Sequence, residues 1–326
     1  MIPRPLQVGD GVRVVAPAQS LASPWMTEQM KAAATARLEG LGLVVSCGKH
    51  VNDIDEFVST TVAHRVEDLH EAFSDKSVQL ILSVVGGYNS NQLLSSLDYS
   101  LLAQNPKRLC GFSDITALGS AILAKAGLVT YSGPHFISFS QARGFDYTLE
   151  YFQKCHFHSA PFAVKPATSY ADGMQAAGMG QFEEPGPWLV LSEGEATGTV
   201  IGGNLCTLQA LCGTQFMPAP DGDLLLFLED DYETYPASFD RDLQSLLHQP
   251  LAQHIRALCI GRFQSQSGMT GELLGRIVRS KPELAGVPVI ANLDFGHTVP
   301  VFTFPIGGTA SIRAQGNVAT LEFLSH

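Results

Sequence analysis

The chain has 326 residues, 45% hydrophobic and only 16% charged, with 20 Lys and Arg against 31 Asp and Glu for a formal net charge of −11. That composition describes a folded chain with a large core, and at this length two domains are expected. The acidic balance and the lack of a Lys/Arg stripe argue against nucleic acid or an anionic membrane as a partner.

No apolar run is long enough to span a bilayer, and the opening MIPRPLQVGDGVRVVAP lacks the pattern of a signal peptide, so a cytoplasmic protein is expected. GVRVVAP (11–17) predicts a buried strand, and TEQMKAAATARLEGLG (27–42) a helix ended by glycine. LVVSCG predicts a second strand, VAHRVEDLHEAFSD (62–75) a helix, and VQLILSVV (78–85) a third strand running into GGYNSN. The run before Ser113 makes a fourth strand and GLVTYSGP (127–134) a fifth. Strand and helix alternating at this spacing predict a parallel sheet with right-handed crossovers.

Residues 137–190 are less regular, and a connecting helix followed by a long loop is expected there. Beyond them, TGTVIGGNLCTLQAL and DGDLLLFLEDDYE predict strands ending in polar turns, and SFDRDLQSLLHQ (238–249) a helix. IRALCIGRF and GVPVIANLDFGH predict further strands, before the closing β structure of VPVFTFPIGGTASIRA and NVATLEFLSH. The domain boundary is placed between 160 and 195: residues 1–165 form a first domain, 166–195 a linker, and 196–326 a second domain. The six cysteines (Cys47, Cys110, Cys155, Cys206, Cys212, Cys259) form no CxxC, so reduced thiols are expected, without disulfides or a structural zinc.

In open parallel sheets, chemistry collects beyond the carboxyl ends of strands. Four polar clusters follow predicted strands: GGYNSN (86–91), Ser113-Asp114, EDD (229–231) and DFGH (294–297). A serine needs a base to take its proton, histidine is the base available near neutral pH, and a carboxylate behind it fixes the tautomer. The Asp114 amide, at a helix N-terminus, suits an oxyanion donor, and Gly86 or Gly87 offers a second beside a close substrate approach. Each element has a plainer reading. Ser113 also reads as a helix N-cap, the commoner role of a serine before a helix, GGYNSN as a turn, and His297 as a structural histidine. Glu229, Asp230 and His297 could instead hold a divalent cation, which would make a metallohydrolase. Neither GxxxxGK[ST] nor G-x-S-x-G occurs, and VIGGNL is weak as a nucleotide motif. A non-catalytic flavodoxin-like module binding a nucleotide or sugar phosphate is the reading from another class.

GGYNSNQLL, GFSDITAL, YSGPHF, ATGTVIGGNLCTL, LFLEDDYE with FDRDLQSL, and ANLDFGH occur in that order. As a set they resemble the serine peptidase family that contains LD-carboxypeptidases and the microcin C immunity protein, over almost the whole chain. The resemblance implies a Ser-Glu-His triad on Ser113, Glu229 and His297, with Ser113 both cap and nucleophile. It implies an α/β fold: a flavodoxin-like N-terminal domain, a C-terminal β/α (swivelling-type) domain, the site between them, no metal or other cofactor, and a homodimer. LD-carboxypeptidases of this family read GGYG at the glycine turn, whereas GGYNSN here is similar to the immunity branch. The expected substrate is therefore a small molecule, a peptidyl or aminoacyl nucleotide analogue cleaved at its amide bond. Trimming of murein tetrapeptides in cell-wall recycling is the alternative. Gly87 and Asp114 are the expected oxyanion donors, and Gly86, Tyr88, Asn89, Trp188 and Asn204 the expected substrate contacts. An indole at Trp188 could stack on adenine or simply pack beneath the loop.

Overall fold

A computed structural model describes residues 1–219 and 221–326. The first half alternates strand and helix: β1 (Gly11–Val15), α1 (Glu28–Glu39), β2 (Val44–Cys47), α2 (Val62–Ser74), β3 (Val78–Ser83), α3 (Tyr99–Gln104), β4 (Arg108–Cys110), α4 (Ile115–Ala126) and β5 (Thr130–Ser132). These five strands pair in parallel in the order β2-β1-β3-β4-β5, the flavodoxin-like arrangement. The sequence explains why. β3 is buried at five of its six positions, as strands covered on both faces must be. The first eight residues of α4 are all buried, and the helix stops at Gly127 in the left-handed conformation.

The chain continues through α5 (Asp146–Phe157), β6 (Phe162–Val164), α6 (Met174–Gly178) and β7 (Leu189–Ser192). The second half follows as β8 (Gly194–Asn204), α7 (Leu205–Gln209), β9 (Leu224–Glu229), α8 (Pro236–Leu247), β10 (Ile255–Gly261), α9 (Gly271–Arg279), β11 (Val289–Leu293), β12 (Phe304–Ile306), β13 (Thr309–Gln315) and β14 (Val318–Ser325). The second sheet has the order β6-β14-β13-β8-β9-β10-β11-β7. Its centre, β8 to β11, is parallel, and antiparallel strands flank it on both sides. No described helix is long and apolar enough to cross a membrane.

Sheet membership does not follow the boundaries expected from sequence. β6, before residue 165, pairs with β14 at one edge of the second sheet, and β7, inside the expected linker, forms the other edge. β12 crosses back to pair antiparallel with β5 in the first sheet. Strands of three or four residues carry too little periodicity to be assigned a partner, since pairing is decided by distant contacts. Pro305 in β12 is consistent with an edge position, where a missing N–H costs no ladder bond. The two sheets share their cores. One apolar cluster joins Val12 and Leu82 to Phe227 and Phe304, and another joins Leu118 and Ile122 to Ile201 and Leu226.

Candidate active site

The carboxyl ends of the parallel strands of both sheets meet at Ser113. The residue follows β4 and holds φ at +58°, a left-handed conformation uncommon outside glycine. Its carbonyl accepts the Thr116 amide at 2.9 Å, which starts α4. Its hydroxyl does something else. Ser113 Oγ lies 3.1 Å from His297 Nε2, and His297 Nδ1 lies 2.7 Å from Glu229 Oε2. Thus Ser113 does not cap through its side chain; the N-cap position of α4 belongs to Asp114, whose side chain makes no capping bond either.

Two glycines let these parts approach. A Cβ on Gly86 would lie 3.0 Å from Ser113 Cβ, 3.2 Å from its Oγ and 3.6 Å from the Asp114 amide nitrogen. A Cβ on Gly296, at φ +105°, would lie 2.7 Å from Glu229 Oε2. Among the described residues, neither the Gly87 nor the Asp114 amide donates to a backbone carbonyl, so both N–H groups remain free at the Ser113 end of the sheet.

Electrostatics favour a base at His297. Burial pulls its imidazolium down, but the Glu229 charge and hydrogen bond, with Asp231 and Asp230 behind, outweigh burial and hold its pKa above 6.5. Glu229 is 2% exposed and its Oε1 has no protein partner. Burial, then the Glu229 charge, pushes neighbouring Asp230 up to about 7. Asp230 Oδ1 accepts from Asn204 Nδ2 and the Asp231 amide, and Asp230 does not converge with Glu229 and His297 on a common point.

The other residues singled out from sequence divide. Tyr88 is 60% exposed and, with Gly87, lines a cavity of about 420 Å³ that opens beside Ser113 between the sheets. Asn204 lines it as well, but its Oδ1 accepts the Thr207 amide as the cap of α7 and its Nδ2 donates to Asp230. Asn89 is buried and outside the lining; its carbonyl and Oδ1 accept from Arg65, while Asn91 takes the place at the cavity wall. Trp188 corrects the stacking expectation. It is 3% exposed in the apolar core and its indole Nε1 donates to Asp294 Oδ2 at 2.9 Å, so no free ring face is presented. Of the two expected roles the indole takes the packing one, with its N–H satisfied as burial requires.

Three residues were not assigned roles from sequence. Asp294, 1% exposed, accepts from the Ala167 amide and Trp188, fastening the irregular segment to the loop that carries His297. Arg65, a buried arginine on α2, donates to Pro17, Asn89 and Gln92 beneath the glycine turn. His135, in YSGPHF, bonds Ser83 Oγ at 2.8 Å and stacks on Phe112, which meets His297 edge-on. Burial, with His297 nearby, drives His135 down to about 3, which keeps it neutral behind Phe112. Only its place in a quoted motif signalled it.

Comparison with known proteins agrees with this architecture. Residues 12–133 match the LD-carboxypeptidase N-terminal domain of the peptidase S66 family and residues 197–312 its C-terminal domain. A Bacillus subtilis relative, YocD, named as a carboxypeptidase, is 46% identical over 98% of both chains. A crystal structure of an MccF-like protein from Bacillus anthracis superposes with a TM-score of 0.96 at 44% identity, covering all of both chains. The microcin C7 self-immunity protein MccF, in complex with aspartyl sulfamoyl adenosine, superposes at 0.88 with 25% identity over 100% of this chain and 99% of that one. The chain is therefore a member of the peptidase S66 family, the serine peptidases that include LD-carboxypeptidases and MccF.

Proposed function

We propose that this enzyme is a serine hydrolase that cleaves the amide bond of peptidyl- or aminoacyl-nucleotide analogues. The observation that carries the reading is the hydrogen-bonded chain Ser113 Oγ–His297 Nε2–Glu229 Oε2, assembled from both sheets at the mouth of a cavity. Glu229 accepts a hydrogen bond from His297 Nδ1–H, which holds the proton on Nδ1 and leaves the Nε2 lone pair facing the serine. Ser113 then attacks the carbonyl as His297 removes its proton, and the imidazolium passes that proton to the leaving nitrogen. Water repeats the sequence on the acyl-enzyme. The oxyanion sits between the Gly87 and Asp114 amides, where each donor is worth on the order of 3 kcal/mol.

The cavity supports a small-molecule substrate. Tyr88 and Tyr235, 60% and 57% exposed, line it and offer ring faces to a base, a role Trp188 does not fill. The MccF complex with aspartyl sulfamoyl adenosine supports a nucleotide conjugate as the ligand class. A second reading, a murein tetrapeptide LD-carboxypeptidase, is favoured by one feature: Arg241 lines the same cavity and could receive the terminal carboxylate of such a peptide. The reading includes a homodimer inside the cell, for which sedimentation velocity is the check.

Mass-spectrometric hydrolysis of aspartyl sulfamoyl adenosine and of an L,D-linked murein tetrapeptide separates the two. Cleavage of the nucleotide conjugate alone is expected; cleavage of the tetrapeptide alone would move the enzyme to cell-wall recycling. Gly86→Ala tests the glycine turn independently of substrate class. Its methyl meets Ser113 Cβ at 3.0 Å, so the nucleophile must shift by a few tenths of an ångström. A loss of about 10–100-fold in kcat is expected, given the sensitivity of attack geometry. An unchanged kcat would show that the turn has room to spare.

A further inference from the structure

Away from Ser113, donor side chains converge where the loop after β2 meets the start of α2. His50 and His64 stack with ring centroids 3.8 Å apart and planes 15° apart. Both direct Nδ1 at the same oxygen, Asp53 Oδ2, at 2.7 Å and 2.9 Å. Glu67 Oε2 lies 3.2 Å from the other nitrogen of His50, and Lys49 in turn holds Glu67 at 2.8 Å. The His50 side chain is 12% exposed, while those of Asp53 and His64 are 41% exposed. The cluster is thus shielded on one side and open to solvent on the other.

Proton accounting makes this arrangement unusual. A neutral imidazole has one N–H and one lone pair. His50 faces a carboxylate at each nitrogen, so a neutral ring that donates Nε2–H to Glu67 turns a lone pair to Asp53 across 2.7 Å. A second proton on His50 alone would satisfy both carboxylates, so the cluster calls for one positive charge, whereas charging both stacked rings would set two imidazolium ions 3.8 Å apart. A cation placed among the two Nδ1 atoms and the Asp53 carboxylate supplies that charge without protonating either ring. Glu67 then plays the part of the outer carboxylate that orients a metal-bound histidine and raises its basicity.

We propose that His50 Nδ1, His64 Nδ1 and Asp53 form a site for one divalent cation of the zinc class, with water completing the shell. Two imidazoles and one carboxylate suit a borderline metal and leave the fourth tetrahedral position open. The donor atoms lie within 4.8 Å of one another. Donors about 2.1 Å from a tetrahedral ion sit about 3.4 Å apart, a span that small side-chain rotations reach here.

The site would brace the surroundings of the glycine turn and take no part in the chemistry at Ser113. The carbonyls of Val51 and Val58, in the same loop as Asp53, accept the amides of Leu21 and Ser20, and the Gln19 amide donates to Gly86. On α2, His64 directly precedes Arg65, which supports Asn89. A bound ion would therefore tie the loop to the helix turn that carries Arg65.

The test uses the full chain, stripped with a chelator and titrated with Zn²⁺ by calorimetry and with Co²⁺ by visible absorption. One equivalent per chain is expected, bound at least 10-fold more weakly by His64→Ala and Asp53→Asn. Co²⁺ bands of a four- or five-coordinate site should appear in the wild type and vanish in both variants. Zn²⁺ should raise the wild-type melting temperature and leave the variants unmoved. Variants that bind as tightly as the wild type would overturn the assignment, as would a wild type that takes up no Zn²⁺. Should a variant unfold, the wild-type Co²⁺ spectrum decides alone, since one resembling the aqueous ion overturns the site.

Discussion

Ser113→Ala is expected to lower kcat by about 10⁶-fold, the scale on which loss of a triad nucleophile acts in serine hydrolases. The variant should keep the fold of the wild type. The Ser113 carbonyl, which alanine retains, accepts the Thr116 amide, whereas the hydroxyl faces His297. Loss of a true capping hydroxyl costs about 1 kcal/mol, or roughly 2–4 °C in melting temperature for a chain of this size. The two roles therefore have opposite signatures. A nucleophile gives lost turnover with an unchanged melt, and a cap gives a lowered melt with turnover preserved. Parallel kinetics and thermal melts on the two proteins read both at once, and full activity in Ser113→Ala would remove the serine mechanism.

Much of this was legible because it is local. The five parallel strands of the first sheet and helices α1, α2, α4 and α8 follow from periodicity and from their start and stop residues. That four polar clusters follow strand ends could also be read directly, and the parallel strands of the two sheets bring three of them, Gly86, Ser113 and His297, together with Glu229 from the fourth. Choosing Glu229 from three consecutive acids required the family resemblance, because composition treats them alike. In space they differ: Glu229 is the one bonded to His297, whereas Asp230 turns to Asn204. What stayed hidden was long-range. β12 joins a sheet whose other strands all precede residue 133, and Trp188 is buried by a carboxylate 106 positions away. An aromatic in an irregular stretch reads as a surface binder or a core residue with equal ease until its partner is known. The same holds for His50 and His64, which are separated by a loop and meet only because that loop folds back on α2.

Glu229→Gln is the second large effect, and its value lies in a readout that simple loss of activity does not provide. The carboxylate accepts a hydrogen bond from Nδ1–H of His297, and an amide in its place can present N–H to that nitrogen and stabilise the wrong tautomer. Replacing a triad carboxylate by its amide costs about 10⁴-fold in kcat where it has been isolated in other serine hydrolases. The pH profile should move as well. His297 acts as a base only when neutral, so kcat/KM rises with pH through its pKa, which the wild type holds above 6.5. The substitution removes the Glu229 charge and the hydrogen bond that raise this value, while burial, which lowers it, remains. The acid limb of the residual activity should therefore shift to lower pH. An acid limb that stays in place while kcat falls would mean that the titrating group is not His297 backed by Glu229, and the roles assigned to both would have to be exchanged for a purely structural one.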